Sequence, residues 1–258
     1  MDHGFFNEPS FLAGIEEPSE AILCLLAAGP DAIQLPPGTA RILQSFPGPK
    51  KPALVLRTDS ANVYGRDLPP TLHSELVEDA TIRAVQLDAA CVVVNLLSLP
   101  GQSALLDQCV RNAAKLRAES YKYGMPLMIE PLVMQDNRVS GGYMVDGDLE
   151  RIRALVRTAV ELGADVIKCD PCAEINDFHE VVRVAGPIPV LVRGGGRVPD
   201  AELFARTVSV MQQGATGIVY GRNIIQHAQP TAITQALMGV VHEDWSPEEA
   251  MHMMETRS

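Results

Sequence analysis

The chain has 258 residues, 47% hydrophobic and 21% charged, and its 32 acidic against 21 basic side chains leave a net charge of −11. That is the composition of a folded globular chain, and the acidic surplus excludes a nucleic-acid partner, whose phosphates require clustered Lys and Arg. The longest uncharged run, residues 89–106, contains Asn95, Pro100, Gly101 and Gln102 and is excluded as a membrane span, and Met1-Asp2-His3-Gly4 does not open a signal peptide.

In chain order, stretches of helical period alternate with apolar, β-branched runs bounded by Gly, Pro or Asp. Helix 19–28, opened by Ser19 and Glu20, precedes the strand Asp31-Ala-Ile-Gln-Leu35. Helix 38–46 precedes Ala53-Leu-Val-Leu-Arg57, and helix 73–87 precedes a strand over 90–95. Helix 102–123, closed by Gly124, leads to a strand over 126–130. Helix 147–162 has Asp146 ahead of its first turn and Gly163 behind it, and leads to Asp165-Val-Ile-Lys168. Helix 175–185 precedes Pro189-Val-Leu-Val-Arg193. Helix 198–213, begun at Pro199-Asp200 and closed by Gly214, precedes Gly217-Ile-Val-Tyr220, and helix 223–238 follows.

Near-continuous apolar strands of this kind suit a parallel sheet covered on both faces. Seven strands and eight helices predict an α/β fold, a (β/α)8 TIM barrel forming a single domain over residues 1–258. Its first strand is expected to be truncated or very short, or to lie upstream of Met1, because the chain opens where that strand should end. Ser246-Pro-Glu-Glu249 reads as a capping box and predicts a C-terminal helix over about 246–256. No Gly-x-Gly-x-x-Gly dinucleotide fingerprint, linker or internal repeat is present.

In such a barrel chemistry sits at the C-terminal ends of the strands. Of five lysines, Lys168 alone ends an apolar strand, with alternation setting Ala164, Val166 and Lys168 on one face. Facing the interior, its ammonium is desolvated and its pKa falls, leaving the neutral amine that attacks a carbonyl to form a Schiff base. The alternative is a structural ion pair with Asp170 or Glu130. Arg193-Gly194-Gly195-Gly196-Arg197 and Tyr220-Gly221-Arg222-Asn223 close the next two strands, where barrel phosphates bind to backbone N–H groups and an adjacent Arg193 or Arg222. Tight turns without a ligand are the plainer reading.

Asp2, Asp59, Glu130 and Asp170 stand at or beside strand ends as candidate proton carriers. Cys169-Asp-Pro-Cys172 lacks the second pair a zinc site needs, and Cys169 is expected to point away from Lys168. The six His form no ligand set, so neither a metal nor another cofactor is expected. Five Cys, an odd and low count, fit free thiols in a reducing, cytoplasmic setting.

Taken together, Asp2-His-Gly-Phe-Phe, Gly163-Ala-Asp-Val-Ile-Lys168, Val192-Arg-Gly-Gly-Gly196, Gly217-Ile-Val-Tyr-Gly-Arg-Asn223 and Val241-His-Glu-Asp-Trp-Ser-Pro-Glu-Glu249 resemble a known family over nearly the whole chain. It is the class I, Schiff-base aldolase family that groups archaeal-type fructose-bisphosphate aldolase with the autoinducer-2 phosphate-processing enzyme. The resemblance implies Lys168 as the imine-forming nucleophile and Asp2 as a substrate-orienting or proton-handling carboxylate. It also implies that Gly195, Gly196, Gly221 and Arg222 hold a phosphate.

Fructose-bisphosphate members carry a tyrosine acid/base shortly after strand five. Here that stretch is Glu130-Pro-Leu-Val-Met134, and Tyr143 comes later. The Phe5-Phe6 pair is closer to the autoinducer branch, whose chemistry is acyl transfer. The family's ring-shaped homo-oligomers would suit the Met251, Met253 and Met254 cluster as an interface, although that helix can equally cap the barrel. The expected activity is carbon–carbon cleavage or formation on a phosphorylated carbonyl substrate. The alternatives are acyl transfer to coenzyme A and non-catalytic binding of a phosphate ligand.

Overall fold

Parallel strand pairing dominates the computed structural model, which describes residues 1–6, 8–139 and 141–256. The strands are β1 (Ala32–Leu35), β2 (Ala53–Arg57), β3 (Asp59–Ala61), β4 (Ser74–Leu76), β5 (Ala89–Ser98), β6 (Leu127–Asp136), β7 (Tyr143–Val145), β8 (Val166–Cys169), β9 (Val190–Arg193) and β10 (Gly217–Val219). The main sheet runs β1-β2-β5-β6-β8-β9-β10, every neighbouring pair parallel. The helices α1 (Pro18–Ala28), α2 (Pro37–Ser45), α3 (Ala80–Gln86), α4 (Ser103–Tyr123), α5 (Leu149–Glu161), α6 (Phe178–Ala185), α7 (Asp200–Gln212), α8 (Arg222–Ile225), α9 (Pro230–His242) and α10 (Pro247–Thr256) complete the α/β alternation.

Period-2 alternation sorts each strand between two surroundings. Leu54 and Leu56, Leu127 and Ile129, Ile167 and Cys169, and Val190 and Val192 face the helices in the main core. Burying one such Leu or Ile side chain is worth about 1.5–3 kcal/mol. The intervening Val55, Met128, Val166 and Leu191 meet on the other side with Cys91 and Val93. Arg57, Glu130, Lys168 and Arg193 continue that second face, one step nearer the C-terminal ends. Ala164, expected on the Lys168 face, belongs to the helix-facing core, because the strand begins only at Val166. Cys169 points away from Lys168 as expected.

Residues from β1 (Ile33, Gln34) and from β10 (Ile218, Val219) line one cavity, so the sheet wraps around its interior like a barrel. No strand among the described residues joins β10 to β1. Where the first strand belongs, Met1 and Asp2 lie against β1, and the Met1 amino group donates to the Gln34 carbonyl at 2.7 Å.

Three of the differences from the sequence reading have a plain physical cause. The predicted helix 73–87 begins only at Ala80, because Ser74–Leu76 pairs antiparallel with Asp59–Ala61, a partner that local periodicity does not reveal. The predicted helix 223–238 is two helices, broken before Pro230, which occupies the first turn of α9 where no N–H is required. The cap of α5 is Asp148, whose carboxylate accepts the Arg151 N–H at 2.9 Å, while Asp146 accepts the Asp148 N–H at 3.0 Å. Gly124, Gly163 and Gly214 all have positive φ, as their positions after helices required.

The C-terminal capping box forms as read: the Glu249 N–H donates to Ser246 Oγ at 3.2 Å, and the Ser246 N–H to Glu249 Oε2 at 2.8 Å. The helix it starts packs on α7 and α9 with Met254 buried and Met251 and Met253 half-buried, so these methionines have a place in the chain's own core.

Trp245, the single tryptophan, lies directly on Gly239 of α9, leaving no room for a Cβ there. Alanine favours helix by about 1 kcal/mol, but overpacking against a rigid indole costs about 1–3 kcal/mol. Gly239→Ala is therefore expected to destabilise the fold by about 1–2 kcal/mol and to alter Trp245 fluorescence. Urea unfolding followed by that fluorescence measures both; a gain in stability would contradict the packing.

Candidate active site

The inward polar side chains near the strand ends form one buried network. Lys168 Nζ lies 3.0 Å from Glu130 Oε1 and donates to Gln34 Oε1 at 3.3 Å. Gln34 Nε2 donates to Asp2 Oδ2 at 2.6 Å, and Arg57 Nε donates to the same oxygen at 2.7 Å. Arg57 also donates to Glu130 Oε2 and, at 3.1 Å, to Asp59 Oδ1. Arg193 closes the network, with Nε 3.5 Å from Glu130 Oε1 and Nη1 donating to Asp170 Oδ2 at 3.1 Å.

Burial and charge set the protonation states. Burial opposes ionisation of Glu130, but Lys168, Arg57 and Arg193 outweigh it and hold the carboxyl at about 2. Asp2 is held well below its usual range by Arg57 against the same desolvation. Lys168 moves the other way. Burial pushes its amine below the ordinary 10.5, and Glu130 does not offset this because that carboxylate is shared with two guanidinium groups. Burial also lowers the His3 imidazole to about 3.

Asp59 serves as support: its carboxylate accepts from Arg57, from the Asn95 backbone at 3.1 Å and from Asn95 Nδ2 at 2.9 Å. Asp170 is buried beside Lys168, its Oδ2 held by Arg193.

The two glycine turns are tied together by Asn223. Its Nδ2 donates to the Gly194 carbonyl at 3.2 Å and the Gly196 carbonyl at 3.0 Å, and its Oδ1 accepts the Val198 N–H at 3.0 Å. Gly194 must be glycine because a Cβ would lie 2.9 Å from the Tyr220 ring, and Gly221 because one would lie 2.6 Å from His3 Cε1. The guanidinium of Arg222 lies 4.8 Å over the Phe11 ring. Among the described residues it has no carboxylate partner, whereas Arg193 is engaged by two.

A cavity of about 340 Å³ brings these pieces together. Asp2, Glu130, Lys168, Arg193, Gly194, Gly195, Gly221 and Arg222 all line it; Gly196 does not. Gln34, Arg57 and Tyr64 line it too and were not singled out from sequence. For the first two a signal existed, namely a polar residue at an inward position of an apolar strand. Tyr143, the late tyrosine, lies on β7, accepts a 3.5 Å hydrogen bond from Gln102 Nε2 and does not line the cavity. The Phe6 side chain, half of the Phe-Phe pair, lies outside the described residues.

Among the described residues no helix is long and apolar enough to cross a membrane, and no cluster of three or more His, Cys, Asp or Glu is arranged to hold a metal ion.

Comparison with known proteins places this geometry in context. Residues 1–227 match the family described as DeoC/LacD family aldolase. An uncharacterized aldolase of Saccharolobus solfataricus is 30% identical over 258 residues, covering 98% of this chain and 92% of the relative. The 3-hydroxy-5-phosphonooxypentane-2,4-dione thiolase of Photorhabdus laumondii is 29% identical over 253 residues, covering 98% and 79%. Among solved structures, a Schiff-base-forming fructose-1,6-bisphosphate aldolase superposes with a TM-score of 0.76 at 25% identity, over 94% of this chain and 92% of that one.

Removing the central cation would take the one cation that Asp59 contacts among the described residues and strip Asp2 and Glu130 of a partner, and breaking a buried ion pair costs about 3–5 kcal/mol. Arg57→Met is expected to lose at least that much in urea unfolding. Arg57→Lys should recover little, since one ammonium cannot fork to three acceptors. Wild-type stability in Arg57→Met would remove Arg57 from the centre of the network.

Proposed function

This chain belongs to the DeoC/LacD family of aldolases, and on that premise we propose that it acts as a class I aldolase on a phosphorylated ketone or sugar. Lys168 attacks the carbonyl carbon, water leaves, and the resulting iminium accepts the electron pair of the adjacent carbon–carbon bond as it breaks. The observation that carries this reading is a desolvated amine and a guanidinium with no carboxylate partner among the described residues, both on the wall of one cavity.

In this reading Glu130 and Asp2 act as fixed negative charge rather than as proton carriers. Their carboxylates are already ionised, and they stabilise the positive charge that the iminium brings into a low-dielectric site. Gln34 holds Lys168 to Asp2, its amide oxygen toward the amine and its amide nitrogen toward the carboxylate. The phosphate is assigned to Arg222 with the backbone of Gly194, Gly195 and Gly221. Arg193 is left to the carboxylates it already serves, and Gly196 to the shape of the turn.

A second reading has a specific observation behind it: the Photorhabdus laumondii relative that matches 98% of this chain is named a thiolase. With the same lysine and cavity, cleavage beside the iminium would then pass an acyl group to coenzyme A.

Borohydride reduction with dihydroxyacetone phosphate, followed by mass mapping, is expected to find a single adduct on Lys168. Lys168→Met should give none while remaining folded. Unphosphorylated dihydroxyacetone should react at least 10-fold less efficiently, and Arg222→Ala should erase that preference. If every ketone in a phosphorylated panel leaves Lys168 unmodified, the imine reading is wrong. Consumption of coenzyme A with a phosphorylated diketone would move the assignment to acyl transfer.

A further inference from the structure

The glycine turn after β9 is held from behind by a side chain that does not line the cavity. Arg206, half-buried on α7, donates from Nη2 to the Gly194 carbonyl at 2.8 Å. Asn223 Nδ2 donates to the same oxygen at 3.2 Å. Gly194 and Gly195 line the cavity, whereas neither of these two side chains does. The Gly194 carbonyl is therefore turned away from the cavity, toward α7 and α8.

A trans peptide sets its C=O and N–H on opposite sides of one plane, and no peptide among the described residues is cis. Turning the Gly194 oxygen outward thus turns the Gly195 N–H toward the cavity side. Among the described residues that N–H has no acceptor.

No carboxylate among the described residues pairs with Arg206, and its Nε is buried without a partner. Burying part of a cation without an acid costs stability. The guanidinium is nevertheless held in place, 5.8 Å over the Tyr220 ring. That ring is itself fixed. It lies on Gly194, and its hydroxyl donates to Thr207 Oγ1 at 3.0 Å, because the one Thr207 hydroxyl proton goes to the Leu203 carbonyl at 2.7 Å. Asn223 also binds the Gly196 carbonyl and the Val198 N–H and so shapes the whole turn. Arg206 makes one bond to the turn, on the oxygen that sets the Gly195 N–H.

We propose that Arg206 is a positioning residue for the substrate phosphate: by holding the Gly194 carbonyl outward it aims the Gly195 N–H at the anion and strengthens that donor. This rests on the reading that places the phosphate at the glycine turns. A cationic donor on the peptide oxygen draws electron density toward it through the peptide resonance and leaves the N–H more positive. The charge of Arg206 then acts on the phosphate through one peptide unit, without contact. Two arginines with no acid partner among the described residues serve one anion, Arg222 at the cavity wall and Arg206 behind it.

The test uses the whole protein, with inorganic phosphate as the probe in titration calorimetry and borohydride trapping on Lys168 with phosphorylated and plain dihydroxyacetone. Arg206→Met keeps an unbranched stem against Tyr220 and removes the charge and the donors. Phosphate binding is expected to weaken about 10-fold, the low end of what a hydrogen bond to a charged group contributes. Trapping of dihydroxyacetone phosphate should fall by a similar factor, while plain dihydroxyacetone stays within about threefold because its contacts are unchanged. Arg206→Lys, which restores the charge and a donor, should recover most of the loss. Wild-type phosphate affinity in folded Arg206→Met overturns the proposal. So does an equal loss for both ketones, which makes Arg206 a residue of the general fold. If the methionine variant does not fold, Arg206→Gln takes its place: weakened phosphate binding supports the role of the charge, and wild-type affinity overturns it. A wild type that neither binds phosphate nor prefers the phosphorylated ketone defeats the phosphate reading first, and this proposal with it.

Discussion

One carboxylate, Glu130, governs the interior of this barrel. Its Oε1 faces Lys168 and Arg193, its Oε2 faces Arg57, and none of the three cations owns it. A lysine beside a private carboxylate would be held charged. Here the carboxylate's attraction is divided, so desolvation decides the protonation of Lys168 and lowers its pKa. The arrangement holds only because Asp2, Asp59 and Asp170 supply the further negative charge that Arg57 and Arg193 demand.

That balance explains the division of labour between Arg193 and Arg222, both on the cavity wall. Arg193 extends from the inward face of β9 and is drawn into the carboxylates. Arg222 emerges from the turn after β10, spreads over Phe11 and meets no acid among the described residues. Only the second has charge to spare for an anion. Asn223 holds both glycine turns in mutual register, and His3 on Gly221 locks the N-terminal segment to the same rim. The pieces quoted from distant parts of the sequence, Asp2-His3, Lys168, Gly194-Gly195 and Gly221-Arg222, thus line one cavity.

Much of this was legible in the sequence, and the physical reason is the barrel's strict alternation. Seven apolar runs announced the seven parallel strands, and alternation correctly set Lys168 and Val166 on the face opposite Cys169, though it misplaced Ala164. Elements that depend on a distant partner were not legible. Ser74–Leu76 carries no strand signal of its own and forms only against Asp59–Ala61. Gln34 and Arg57 carry a signal, a polar residue within an apolar strand, but the acids and amides they meet come from other strands and are set only by the folded sheet. Tyr64 lies in an irregular segment with no periodicity, so only the folded chain brings it to the cavity wall. The same limit applies to Arg193, whose position at the end of a strand beside a glycine run suggests a free cation and whose surroundings make it a shared one.

The central claim is that the Lys168 amine loses its proton more readily than an exposed lysine does. The most direct measurement is an NMR titration of its side-chain carbon and nitrogen resonances, assigned by comparison with Lys168→Met. The account predicts a midpoint displaced below the ordinary 10.5. A midpoint at or above that value would mean that Glu130 holds the ammonium as a plain ion pair, and the account of the site would be contradicted.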